Sequence, residues 1–390
     1  MKYFLALIAV VLILLFIPLE KVQASPESPS ELVTDQIEGI DVDDIKAYWQ
    51  EVMDEYGGFL PESQKGSFME FVKGDKSFSL NEWTKGFVKY FFHELLANGK
   101  LLGSLILLTI FSMFLQNLQN AFEQKTVSKV AYAVVFMVLI IIALNSFHIV
   151  ISYTQEAISA MTGFIIALVP LLIALIASSG GIVSAAFFHP IILFLMNTSG
   201  LLIQYVVLPL LFLAAILSIV STLSEHYKVT KLAQLLRNIS IGILGIYLTV
   251  FLSVISVQGA TAAITDGIAI RTAKFVTGNF IPVIGRMFTD ATDTVITASL
   301  LLKNTVGILG VAILVLLAAF PAVKILSIAI IYKLAAALLQ PLGGGPVIAC
   351  LDIIGKSIIY IFAALAIVSF MFFLSITVII AAGNITVMVR

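Results

Sequence analysis

The sequence predicts an all-α, polytopic membrane protein with a small helical N-terminal region, and three observations predict it. Hydrophobic residue types fill 60% of the 390 positions and charged types only 12%, where an average soluble domain is about a quarter charged. Mean hydropathy is +1.08. The charges are also segregated: residues 1–100 hold 9 Lys or Arg and 16 Asp or Glu, while the remaining 290 hold 13 and 7. That pattern excludes a soluble enzyme, a disordered chain and a coiled coil. A net charge of −1 excludes a basic nucleic-acid binder. The single cysteine, Cys350, excludes an intramolecular disulfide and a cysteine-based zinc cluster.

The chain opens with Lys2 and an apolar run over 3–19, then reaches Val22 and Ala24, small residues that precede a polar linker. This reads as a signal peptide, 1–24, cleaved after Ala24; an uncleaved anchor is the other reading. Either way, Ser25 onward emerges outside. Residues 25–100 form an acidic extracytoplasmic region. Ile45, Tyr48, Trp49, Val52 and Met53 recur at helical spacing after an acidic start, and Gly57-Gly58 stops that helix. A short helix follows at Phe68–Val72. A third, beginning at Asn81 or Glu82, carries Trp83, Phe87, Tyr90, Phe91 and Leu95 on one side and feeds the first span as an interfacial helix. So small a region folds alone only marginally, which predicts packing on the membrane part or on a partner. Its aromatic faces, including Trp49 and Phe68, are expected to be a docking surface.

Nine candidate spans follow, at 101–118, 130–151, 161–177, 187–205, 206–222, 239–258, 306–320, 324–339 and 357–382. Placing Lys125, Lys129, Lys228, Lys231 and Arg237 inside gives an outside N-terminus and a cytoplasmic C-terminus. Residues 101–258 and 304–390 thus form two groups of membrane helices. Between them, 259–303 reads as an amphipathic or re-entrant segment. It carries Asp266, Arg271, Arg286, Asp290 and Asp293 among apolar residues, with Gly278 and Pro282 as interruptions. Two readings fit: charges lining a polar path, or a solvated hairpin on the outer surface. The string QPLGGGP at 340–346 also breaks the helical pattern. Gly343, Gly344 and Gly345 fit either a gate or a tight turn between spans. The two interrupted segments are expected to build one functional centre on the external side.

No catalytic constellation emerges. The four histidines share no metal-ligand spacing, and no P-loop, dinucleotide fingerprint or intramembrane protease motif is present. The chain is therefore expected not to be an enzyme, to need no cofactor or metal, and to take any ATP-driven work from another subunit.

Four strings carry a family resemblance: 56–76 (YGGFLPESQKGSFMEFVKGDK), 178–190 (SSGGIVSAAFFHP), 271–293 (RTAKFVTGNFIPVIGRMFTDATD) and 340–350 (QPLGGGPVIAC). The chain resembles the stage III sporulation protein AE family of endospore-forming bacteria over essentially its whole mature length. The resemblance implies a mother-cell membrane component of the channel complex between mother cell and forespore. It implies partners from the same operon, among them a secretion-type ATPase and ring-forming subunits, and a forespore-side channel partner. Support of late forespore sigma-factor activity is implied as well. It offers no catalytic residues. A permease-like core is the leading expectation, with a structural scaffold or a free-standing ion-coupled carrier as alternatives.

Overall fold

The computed structural model describes residues 42–388 except 122–124, 180, 224–227, 281–283 and 344. The expected signal segment and its cleavage site lie outside the described residues. Among these residues the structure is helices joined by short turns, with no strand.

The N-terminal unit contains α1 (Asp43–Tyr56), α2 (Phe68–Val72) and α3 (Leu80–Ala97), with short 3-10 turns at Gly57–Phe59 and Glu62–Gln64. Asp43 and Asp44 sit in the first turn of α1, where carboxylates favour the positive end of the helix dipole. Ser67 opens α2 through a reciprocal capping box with Glu70. Lys76 and the Ser67 backbone hold the Glu70 carboxyl below the usual glutamate range, the backbone hydrogen bond being the larger cause. Gln64 is buried and organises the centre. Its side-chain oxygen accepts from Trp83 Nε1 at 2.9 Å and from the Ser79 amide at 3.1 Å. Trp49 donates from Nε1 to the Gly66 carbonyl at 2.8 Å.

After this unit come α4 (Gly99–Ala121), α5 (Lys125–Ser178), α6 (Ile182–Leu202), a π-helical turn (Ile203–Val207), α7 (Leu208–Leu223), α8 (Thr230–Phe280), α9 (Ile284–Leu339) and α10 (Pro346–Met388). Six of the described helices are long and apolar enough to cross a membrane. The nine expected spans are not nine separate helices among the described residues. Spans 130–151 and 161–177 are one helix, as are 306–320 and 324–339, and 187–222 continues through the π turn. The reason is local satisfaction. Within the polar stretch of α5, Thr154 and Thr162 donate back to the carbonyls of Val150 and Ile158, both at 2.8 Å. Pro170 and Pro321 each delete one backbone hydrogen bond, which a packed helix tolerates.

These helices are too long for one bilayer. The apolar part of α5, Ala133–Ser178, has 46 residues, about 69 Å at the α-helical rise, against a hydrocarbon core of ~30 Å. Side-chain pairs mark a common level halfway along. Gln204 donates to Ser159 at 3.1 Å, Lys324 lies 4.0 Å over the Tyr153 ring, and Ser369 reaches the Met161 sulfur at 3.6 Å. This level is a polar belt. Below it stand α4, α7, the first half of α5, the second half of α9 and the first half of α10. Above it stand α6 and the other halves of α5, α9 and α10, while α8 runs through both tiers. Among the described residues the interior is mostly apolar, with Phe147, Phe164, Ile313, Tyr332, Leu365 and Phe372 all fully buried, alongside the side chain of Lys303. Gly307 and Gly310 permit that closeness: a methyl group there would lie 2.6 Å from Ile380 Cδ1 and 2.5 Å from Leu168 Cδ2.

Candidate functional site: the polar belt and the glycine hairpin

The N-terminal unit docks at the belt through aromatic rings. Phe320 of α9 is fully buried, stacked on Tyr56 at 4.1 Å with 4° between the planes. Tyr90 and Phe87 of α3 meet the same ring edge-on at 5.0 and 5.2 Å. Tyr48 packs edge-on against Phe164 of α5 at 5.5 Å. Gly163 is needed beside it, because a methyl group there would lie 2.5 Å from the Tyr48 hydroxyl. Burial and the adjoining Glu55 push the Tyr56 hydroxyl well above its ordinary range. A cavity of about 290 Å³ remains at this junction, lined by Glu51, Glu55, Tyr56, Tyr153, Glu156 and Lys324 among others.

The expected packing of the N-terminal region on the membrane part is thus present, but the expected docking surface is corrected. Trp49 and Phe68 are 1% and 3% exposed. They are core residues of the unit, because three short helices and their connections close over them. The apolar side chains left outside on α3 are Leu80, Val88, Phe92 and Leu96. Their i, i+4 spacing forms one stripe beside Lys85 and Lys89, as an interfacial helix requires.

The second site is the α9–α10 hairpin. Leu339 is followed by a 3-10 turn, Gln340–Leu342, and Gly343 adopts φ +145°, a conformation that L side chains rarely take. A methyl group at Gly343 would come within 3.2 Å of Met113 Cε, and one at Gly345 within 3.2 Å of Gln116 Oε1. The turn therefore packs on the far end of α4, away from the N-terminal unit. Six residues into each helix from the turn, Lys333 and Asp352 meet, and Lys356 joins them one turn further along α10. Lys333 Nζ lies 2.6 Å from Asp352 Oδ1, and Lys356 Nζ lies 2.7 Å from Asp352 Oδ2. A cavity of about 730 Å³ opens beside them.

The predicted site residues are therefore not one centre. Lys303 and Leu339 are separated by 36 residues of a continuous helix, about 54 Å, so segments 260–303 and 340–346 stand at opposite ends of α9. The turn also lies away from the N-terminal unit, which meets α9 at Phe320, 19 residues before Leu339. Nor is 260–303 re-entrant where it is described. Helix α8 runs to Phe280 through Gly278, and α9 begins at Ile284. Asp266 and Arg271 belong to α8, and Arg286, Asp290 and Asp293 to α9; their side chains, and Gly344, lie outside the described residues. Among the described residues, no group of His, Cys, Asp and Glu side chains is placed to hold a metal. Sequence reasoning missed Lys333 and Lys356. Their signal was three charges, one of opposite sign, on either side of the turn in otherwise apolar runs. Phe320 carried no signal at all.

No solved structure matches this chain. A family model described as Stage III sporulation protein AE matches residues 63–383. The chain belongs to the stage III sporulation protein AE family. It is 71% identical over 371 residues to the Stage III sporulation protein AE of Bacillus subtilis (strain 168), covering 95% of this chain and 93% of that one. The family match begins inside the N-terminal unit and ends near the end of α10, so Phe320, Phe87 and Tyr90, the belt residues, the hairpin and the charge triad fall within it, while Tyr56 precedes it.

Proposed function

We propose that this member of the stage III sporulation protein AE family is the multispanning, permease-like membrane component of the sporulation channel complex, with no catalytic role of its own. One observation carries the reading: apolar helices twice as long as a bilayer is thick. Fitting 46 apolar residues into a ~30 Å core needs a tilt beyond about 60°, outside the 0–40° that spanning helices adopt. The belt of Gln155, Glu156, Gln204 and Lys324 also resists placement at the hydrocarbon centre. The lower tier then occupies the membrane and the upper tier stands outside it. Yet Phe194, Ile246, Val257, Ile308 and Phe370 are exposed on that upper tier. Such a surface calls for protein neighbours, which suits a subunit of a larger assembly better than a free-standing carrier.

The partners implied are the operon's other membrane proteins, a secretion-type ATPase, ring-forming subunits and a forespore-side channel component. The site of action is the mother-cell membrane around the forespore, with the N-terminal unit extracytoplasmic. Because the interior of the single chain is packed, any passage runs between copies or between this chain and a partner. The closed core equally favours a second reading, a scaffold that anchors the ring subunits. Cysteine-accessibility scanning over 260–303 in the assembled complex, with Cys350 replaced, separates the two. A continuous water-accessible helix face supports the conduit. Uniform protection by lipid supports the scaffold. Failure of the purified chain to retain the ATPase and ring subunits would overturn both.

A further inference from the structure

We propose that the groove between α9 and α10, beside the glycine turn, binds the headgroup of an anionic phospholipid. The inference rests on the membrane placement of the lower tier and holds whether the chain is conduit or scaffold. The groove is about 730 Å³ and is lined by Ile330, Lys333, Leu334, Gln340, Ile348 and Asp352 among others. Its charges do not cancel. Asp352 gives one oxygen to each lysine, which leaves the triad at +1, and each ammonium has three donors. Lys333 lines the groove itself, and Lys356 stands one turn beyond Asp352 on α10, outside the lining, with its side chain 58% exposed. An uncompensated ammonium inside an apolar span is costly, and an anion beside it offsets that cost.

Depth and shape select a lipid rather than a free anion. Lys333 and Asp352 each stand six residues from the helix end at the turn, about 9 Å, within reach of the headgroup layer. The walls around them are apolar, formed by Ile330, Leu334 and Ile348, and Leu334 is 42% exposed. A free phosphate would gain nothing from those walls. A phospholipid places its phosphate against Lys333 and its acyl chains along Ile330, Leu334 and Ile348, as basic pockets between spanning helices do.

The test uses the purified full chain in vesicles of phosphatidylcholine with a minor share of phosphatidylglycerol, followed by native mass spectrometry of the lipid retained. The wild type is expected to retain phosphatidylglycerol preferentially. Lys356→Gln brings the triad to zero and should lower that preference about fivefold, the effect of one lysine near a membrane surface. Asp352→Asn raises the triad to +2 and should strengthen it. The opposite signs separate a lipid site from a purely structural ion pair, which predicts lower melting temperatures and no gain in lipid for either variant. Equal retention of both lipids by the wild type overturns the proposal, as does an unchanged preference in Lys356→Gln. Displacement of phosphatidylglycerol by excess inorganic phosphate would assign the groove to a free anion instead.

Discussion

Replacing Phe320 by alanine should detach the N-terminal unit, which folds alone only marginally, while leaving the membrane helices folded. The ring is fully buried at the junction of Tyr56, Phe87 and Tyr90. Truncating a buried phenylalanine to alanine costs about 3–5 kcal/mol, which combines the lost transfer energy with the cavity left behind. The three ring contacts, each worth ~0.5–1.5 kcal/mol beyond burial, lie within that figure. At 1.4 kcal/mol per tenfold change, the docking equilibrium should shift by about two to three and a half orders of magnitude. Amide hydrogen exchange reads this directly. Protection in α1 and α3 should fall by that factor, and protection in α10 around Ile361–Val368 should not change. The exposed Phe92, on the opposite face of α3, gives a control in which alanine should change stability by no more than about 0.5 kcal/mol. If Phe320→Ala leaves α1 and α3 as protected as in the wild type, the aromatic junction does not hold the unit in place.

Gly163→Ala should lower the melting temperature, since overpacking costs about 1–3 kcal/mol. Adding Tyr48→Phe should restore it, because the next nearest atom, Tyr48 Cζ, is 3.6 Å away; no rescue would refute the clash. Gly343→Ala should cost about 1–3 kcal/mol from backbone strain at φ +145°, and Met113→Ala should recover only the steric share of it in a melting experiment. The Glu70 carboxyl is held below its ordinary value of 4.5, so its contribution is complete above that value and is lost as pH falls through the lowered one. Exchange protection in α2 should follow that acid transition, and Glu70→Gln should abolish the pH dependence. Reporter fusions at Lys125 and Gln155 should read opposite sides of the membrane. A fusion at the end of α10 should read the same side as Gln155, and a cytoplasmic reading there would refute the two-tier placement.

Composition and periodicity determined a good deal by themselves. They gave the helical membrane class, the helices of the N-terminal unit, its need for a second surface to pack on, and the turn at 340–346. Each of these follows from local chemistry: the apolar run, the spacing of Ile45, Trp49 and Val52, and the inability of Gln340-Pro341 and three glycines to continue a helix. The 56–76, 178–190, 271–293 and 340–350 strings carried the family. Span number was not legible, because a polar stretch such as 152–160 reads as a loop in sequence. In the fold Thr154 bonds back to its own helix, and Ser159 accepts from Gln204 of a neighbouring element. Nor could spacing tell that 260–303 and 340–346 stand at opposite ends of one helix, since that depends on α9 not turning at Pro321. The Phe320 cage and the Lys333–Asp352–Lys356 triad are likewise products of the tertiary structure. Their members lie 230 or more residues apart in the first case, and on opposite sides of a turn in the second. Only the packing of α3 against α9, and of α9 against α10, brings those side chains within a bond or a ring's width of one another.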